Sequence, residues 1–257
     1  MKGLERFCDL LFELSNEDRL RILDELGRAQ LHATGLSNRL DVAPQETSRH
    51  LTRLGEVGLI AKAPDGLYSL TPYGELCLRL VGGQLFASNN KEYFATHTVR
   101  LLPDPFTARL GEVSAATLID DVMVVIHSVE RVIRESREYI VRITDRYQLT
   151  AIPYIVDALG RGVTMRTIEP RDIVRPPGYE PDPALSRAEH EGRFSDRAID
   201  AVPVFMTASE SEVAALCFPL PDGRFDYRGF TSKDPAVHRW CLDLFEHSWA
   251  RGGRIKD

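Results

Sequence analysis

Apolar residues at three- and four-residue steps open the chain. Leu4, Phe7, Leu10, Leu11 and Leu14 fall on one side of a helix over 2–14. Leu20, Leu23 and Leu26 repeat the spacing after Ser15, which fits an N-cap with Glu17 and Asp18 in the first turn. A short helix is predicted from about Thr34 to Leu40, and Pro44 opens a fourth helix that Gly58 stops. The period then shortens. LIAKA and LYSLT are strand-like runs on either side of Pro64, Asp65 and Gly66, a turn sequence, so a small hairpin follows. Thr71 and Pro72 cap and open another helix carrying Leu76, Leu78, Leu80 and Val81, which Gly82 and Gly83 loosen. This order of helices, recognition-like helix and hairpin predicts a winged helix-turn-helix over residues 1–80, followed by a helical linker over 81–100.

The second half carries another pattern. Val122, Val125, Ile126, Val129 and Ile133 predict a helix over 118–137. YIVRITD reads as a strand, IPYIVDALGRG as a helix started by Pro153 and ended by Gly160 to Gly162, and VTMRTIEP as a second strand. Strand, helix, strand with short connections implies a parallel pair. The stretch Pro170 to Pro183 holds five prolines and is expected to be an extended loop. AVPVFMTAS, EVAALCFPL and PDGRFDYRGF add strands and turns, and Pro235 opens a last helix weighted by Trp240, Leu244 and Trp249. The expected fold is α+β and multidomain: a winged helix-turn-helix, then an α/β domain over 101–257 for sensing or dimerisation.

Composition narrows the function. The 257 residues have a formal charge of −6, which argues against coating nucleic acid through a broad basic surface. Locally the balance differs. Residues 1–75 hold nine Lys or Arg against twelve Asp or Glu, but 33–62 hold four against three. One copy is therefore expected to bind DNA weakly, and a homodimer presenting two helices to half-sites is the expected remedy. The four cysteines are far apart and form no C-x-x-C pair, so neither a zinc knuckle nor a disulfide framework is indicated and a reducing cytoplasm is expected. The charged first segment predicts no signal peptide, and no apolar run is long enough to suggest a membrane partner.

LSNEDRLRILDEL followed by LSNRLDVAPQETSRHLTRLGEVGLI resembles the winged-helix domain of small bacterial and archaeal regulators of the arsenic-repressor type. In that family "SRHLxxLxxxGLI" is the recognition helix and its exit. The second half, closing with CFPLPDGRFDYRGFTSKDPAVHRWCLDLFEHSW, is similar to the C-terminal region of archaeal winged-helix regulators linked to methanogenesis control. That resemblance implies a phospholipase D-like fold, as in the sensor domain of archaeal sugar-responsive regulators. Phospholipase D chemistry needs His-x-Lys, and none of the seven histidines is followed by it, so a non-catalytic sensor is expected and no cofactor.

The candidate residues follow from this frame. On the fourth helix Thr47, Leu51, Leu54 and Val57 share one face, while Gln45, Ser48, Arg49, Thr52 and Arg53 lie on others; side chains of these types bond base edges and phosphates. Gln45, Thr47, Ser48, Arg49, Thr52 and Arg53, with Lys62 at the base of the wing, form the expected DNA-binding set. Metal sensing is not expected here. His32 has no cysteine partner on the preceding helix, and Glu75 with distant His97 does not supply the second site such regulators use. Arg142, Asp145, Tyr147, Arg166 and Glu169 lie near the carboxyl ends of two strands, where open α/β sheets hold ligands, and form the expected effector pocket; a structural ion-pair network is the other reading. The expected partners are double-stranded DNA, a second copy, and a small molecule or sensor protein. A winged helix that docks on a protein is the alternative, and no enzyme is expected because no catalytic set is present.

Overall fold

The computed structural model describes residues 2–174, 180 and 182–253. The chain divides into two compact units, Met1–Gly82 and Gly83–Asp257.

The first unit begins with α1 (Lys2–Leu14) and α2 (Glu17–Arg28). The α2 cap is Asn16, one residue beyond the expected Ser15. Its side chain accepts from Arg19 N at 3.0 Å, while Ser15 Oγ donates backwards to Phe12 O. Then come α3 (Ala33–Leu40) and α4 (Pro44–Glu56), and strands β1 (Ile60–Lys62) and β2 (Tyr68–Leu70) pair antiparallel as the expected hairpin. Leu31 joins them by bridging to Tyr68. α5 (Pro72–Asn89) is capped by Thr71, whose Oγ1 accepts from Gly74 N; it continues through Gly82 and Gly83, which do not loosen it. Ile22, Leu23, Leu36, Leu51, Leu54 and Leu59 form the core of this unit.

In the second unit, α6 (Lys91–Phe94) and α7 (Asp104–Thr107) precede β3 (Thr117–Ile119) and α8 (Val122–Glu135). The helix expected from residue 118 therefore starts later. Asp121 caps α8 by accepting from Met123 N at 2.8 Å, and Leu118 pairs with Phe230 in a strand instead. Next are β4 (Tyr139–Ile143), α9 (Ile152–Gly160), β5 (Thr164–Pro170), α10 (Pro183–His190) and β6 (Phe194–Ile199). Strands β7 (Phe205–Ser209), β8 (Val213–Cys217) and β9 (Gly229–Ser232) and helix α11 (Pro235–Arg251) complete the order. Of the expected proline-rich loop, residues 175–179 and 181 lie outside the described residues.

The sheet runs β3-β9-β8-β7-β4-β5-β6. β4, β5 and β6 are mutually parallel, and the remaining pairs are antiparallel. Every residue of β7 and β8 is buried, which requires cover on both faces; α8 and α11 both pack on these strands and supply it. Phe205, Phe218, Phe230, Trp240 and Phe245 fill the core. Among the described residues no helix is long and apolar enough to cross a membrane.

Candidate nucleic-acid interface

Pro44 starts α4 without losing a hydrogen bond, because its missing N–H is one the first turn leaves unpaired, and Thr47 N closes that turn on Ala43 O at 2.9 Å. The helical period then sorts the side chains. Thr47, His50, Leu51 and Leu54 are buried; Gln45, Ser48, Arg49 and Thr52 are exposed on the outer side. Gly58, at φ 76°, ends the helix in a conformation that favours glycine, and Leu59 N–H returns to Leu54 O at 3.0 Å. This exit delivers the chain to the wing, where Lys62 is exposed with Nζ 5.4 Å from the Tyr68 ring centroid.

Two members of the expected DNA-binding set are placed otherwise. Thr47 is 0 % exposed, with its hydroxyl 3.5 Å from Val42 O, so it serves the core and cannot reach a groove. Arg53 is turned back onto α1. Its Nε and Nη2 donate to the two carboxylate oxygens of Glu13, and its guanidinium lies 5.3 Å from the Phe12 ring centroid. Glu13 is buried and also faces Arg19 Nε at 3.2 Å; the Arg53 hydrogen bond, ahead of the attraction of Arg19, holds its carboxyl below the usual range. Thr52 Oγ1 donates to Ser48 O at 3.0 Å, and Arg49 Nη2 reaches Glu46 at 3.0 Å while remaining 68 % exposed. Gln45, Ser48, Arg49, Thr52 and Lys62 are thus the members presented to solvent without a buried partner, while Arg53, its side chain 41 % exposed, is tied to buried Glu13.

The expected effector residues divide between the two sheet faces. Register sets Arg142 opposite Thr207 and Thr167, but Val141 opposite Arg166, so Arg166 projects from the other face than Arg142. There it binds Glu246 and stacks near Phe245 and Trp249 of α11, an ion pair that removes it from the pocket. Tyr227 Oη donates its single proton to the Asp145 carboxylate, lying 3.0 and 2.9 Å from its two oxygens. Arg142 is 4 % exposed; burial pulls its guanidinium down to about 10, and Nη2 donates to Gln148. Its Nε, Thr167 Oγ1 and Thr207 Oγ1 are buried and have no hydrogen-bond partner. Glu169 is buried on the same face as Thr167. Alternation sorts the two faces within YIVRI and within TMRTIEP, but the separation of Arg142 from Arg166 and the part of Thr207 depend on strand register that no spacing reveals.

Residues 14–63 match the family model described as a helix-turn-helix domain. The N-terminal unit contains a helix-turn-helix domain. Among solved structures, the archaeal chromatin protein TrmBL2 is similar at 17% identity, over 93% of this chain and 94% of that one, with a TM-score of 0.43. An ArsR-like transcriptional regulator from Rhodococcus sp. RHA1 is similar at 26% identity, over 37% and 92%, with a TM-score of 0.28. Nuc, a phospholipase D family member from Salmonella typhimurium, is similar at 11% identity, over 50% and 89%, with a TM-score of 0.35. At these scores the likenesses carry no functional argument for this chain. No curated protein matches it.

Proposed function

We propose that the chain is a sequence-specific DNA-binding transcriptional regulator of the cytoplasm, acting as a homodimer and answering to a small molecule or partner through its second unit. The observation that carries the proposal is the outer face of α4, where Gln45, Ser48, Arg49 and Thr52 stand exposed above a buried row of Thr47, Leu51 and Leu54 inside a helix-turn-helix domain. Arg can donate twice to a guanine edge, Gln can donate to and accept from an adenine edge, and Ser and Thr hydroxyls supply phosphate contacts. Lys62 adds a cation from the wing.

The apolar side of α1 supports pairing of two copies. Leu4, Phe7, Leu11 and Phe12 are 69, 50, 41 and 60 % exposed, and on α5 Leu76 and Leu80 are 55 and 61 % exposed. Exposed large apolar side chains clustered along a helix of a small domain mark a candidate contact face. Support for an effector comes from the row Thr207, Arg142 and Thr167, whose orphaned buried donors suit an anionic or hydroxyl-rich small molecule.

The test is fluorescence anisotropy of the full chain on DNA from upstream of its own gene, against a shuffled duplex, across a salt series. Arg49→Ala is expected to cost about 1–3 kcal/mol of binding, or to lower the salt slope by about 1 if the contact is to phosphate. Equal affinity for both duplexes, or an Arg49→Ala variant indistinguishable from the parent in affinity and slope, overturns the reading and leaves protein docking as the use of this face.

A further inference from the structure

One cluster of the N-terminal unit meets the reading face only through Glu46, the partner of Arg49. His50 lies on the inner side of α4, 3 % exposed, and neither Nδ1 nor Nε2 has a hydrogen-bond partner. Nε2 faces two carboxylates: Asp18 Oδ2 on α2 at 3.9 Å, and Glu46 Oε1, one turn earlier on α4, at 3.8 Å. One ligand atom from each residue falls within 4.8 Å of the others. An imidazole buried without a partner is costly, so something is expected to meet it.

The spacing says what. Separations of 3.8 and 3.9 Å are too long for hydrogen bonds. Two donors held about 2.1 Å from a tetrahedral zinc ion lie about 3.4 Å apart, so each carboxylate oxygen need approach His50 by about half an ångström, and the two carboxylates, within 4.8 Å of each other, would draw together as they close on a cation. Burial, followed by repulsion from Arg19, lowers the pKa of His50 and favours the neutral imidazole that ligates metals. The cations nearby do not fill the gap. Arg21 engages Asp18 through Oδ1 at 3.3 Å, leaving Oδ2 toward His50, while Arg49 shares Glu46 Oε1 at 3.0 Å. The mixture of one imidazole and two carboxylates suits a borderline first-row ion better than a soft one.

We propose that Asp18, Glu46 and His50 form a binding site for a divalent transition cation of the zinc class, completed by water and clamping the first turns of α4 to α2. The sequence expectation of no metal in this unit considered His32, Glu75 and His97, none of which takes part. A cation would also draw Glu46 away from Arg49. That consequence for DNA contact rests on the proposed function, whereas the cation site itself does not.

The experiment is a titration of the chelator-treated full-length protein with Zn(II) by calorimetry and with Co(II) by visible absorption, with no DNA present, together with melting curves. One equivalent is expected to bind with a Co(II) spectrum lacking thiolate charge-transfer bands and with a raised Tm. Glu46→Gln and Asp18→Asn, whose side chains are part exposed and whose folds are checked by circular dichroism, are expected to weaken binding at least about tenfold, as is His50→Gln. Absence of saturable Zn(II) binding, a thiolate spectrum, or undiminished affinity in the folded Glu46→Gln variant overturns the proposal. Failure of DNA binding with the metal site intact would instead count against the function proposed above.

Discussion

Gly74→Ala is expected to destabilise the N-terminal unit severely. Gly74 lies in the first turn of α5, with its N–H donating to Thr71 Oγ1 at 3.0 Å. Thr71 in turn clips the wing to the end of the reading helix: its N–H donates to Leu59 O at 3.0 Å and its hydroxyl to Gly58 O at 2.6 Å. A Cβ at position 74 would run into the Leu59 carbonyl oxygen and come within 2.9 Å of its carbon, where ordinary contact begins at 3.4 Å. Leu59 is 0 % exposed, so the obstruction is fixed backbone in the core, with no flexible side chain to swing aside. Overpacking costs about 1–3 kcal/mol when side chains can yield. Here backbone must move, and strain on the Thr71–Leu59 bond adds about 1 kcal/mol, giving about 3 kcal/mol. For a domain of this size that is a fall in Tm on the order of 10–20 °C. Both tryptophans, Trp240 and Trp249, belong to the second unit, so their fluorescence reports that unit while far-ultraviolet circular dichroism reports both. The dichroism transition is expected to move down, and the wing's displacement to weaken DNA binding in parallel. An unchanged dichroism midpoint would refute the close approach of α5 to Leu59 and the reasoning built on it.

Two further outcomes are expected. Because the folded pKa of Glu13 lies below its ordinary 4.5, its carboxylate contributes stability that is present above the unfolded value and lost as pH falls through the folded one; urea midpoints followed by circular dichroism should therefore fall more steeply on acidification for the parent than for Glu13→Gln, and parallel curves would deny Glu13 that role. Leu4→Glu combined with Phe7→Glu places charge on the exposed side of α1 and is expected to shift sedimentation velocity from dimer to monomer, with loss of DNA affinity; an unchanged sedimentation coefficient would remove α1 from the interface.

Elements whose apolar spacing is strong were legible in the sequence: α2, α4, α11 and the parallel pair β4 and β5 follow directly from period and punctuation. β6 was not, because FSDRAI is a half-exposed edge strand whose polar residues give no clear alternation. α8 was begun too early because Leu118 and Ile119 extend its apolar run, and only the Asp121 cap and the pairing with β9 separate strand from helix. On the site, period puts Ser48 and Arg49 outside and Thr47 on the core face, yet Thr47 also stands in the expected DNA-binding set, from which its burial removes it. The diversion of Arg53 to Glu13 and the meeting of Asp18 with His50 join residues forty and thirty-two positions apart, and only the packing of α4 against α1 and α2 brings them together.

That diversion also changes the electrostatics of DNA binding. The near-neutral segment 33–62 offers four cations, but Arg39 is bound to Glu25 at 2.9 Å, Arg49 to part-exposed Glu46, and Arg53 to buried Glu13. These commitments differ in kind. Glu46 is 45 % exposed, so Arg49 can leave it for a phosphate or a guanine with water taking its place. Glu13 is not, and moving Arg53 would leave a buried carboxylate with Arg19 as its remaining guanidinium partner. Under the proposed function each copy would bring two readily available cations of this segment, Arg49 and Lys62, to the duplex. A dimer neutralising about four phosphates should show a slope of log K against log salt near −3.6, shallow for a site-specific protein. Specificity would come chiefly from Gln45, Ser48, Arg49 and Thr52 at base edges and from half-site spacing. A measured slope of about −8 or steeper would require Arg53 and other cations to be released onto DNA, and would refute the assignment of Arg53 to the fold.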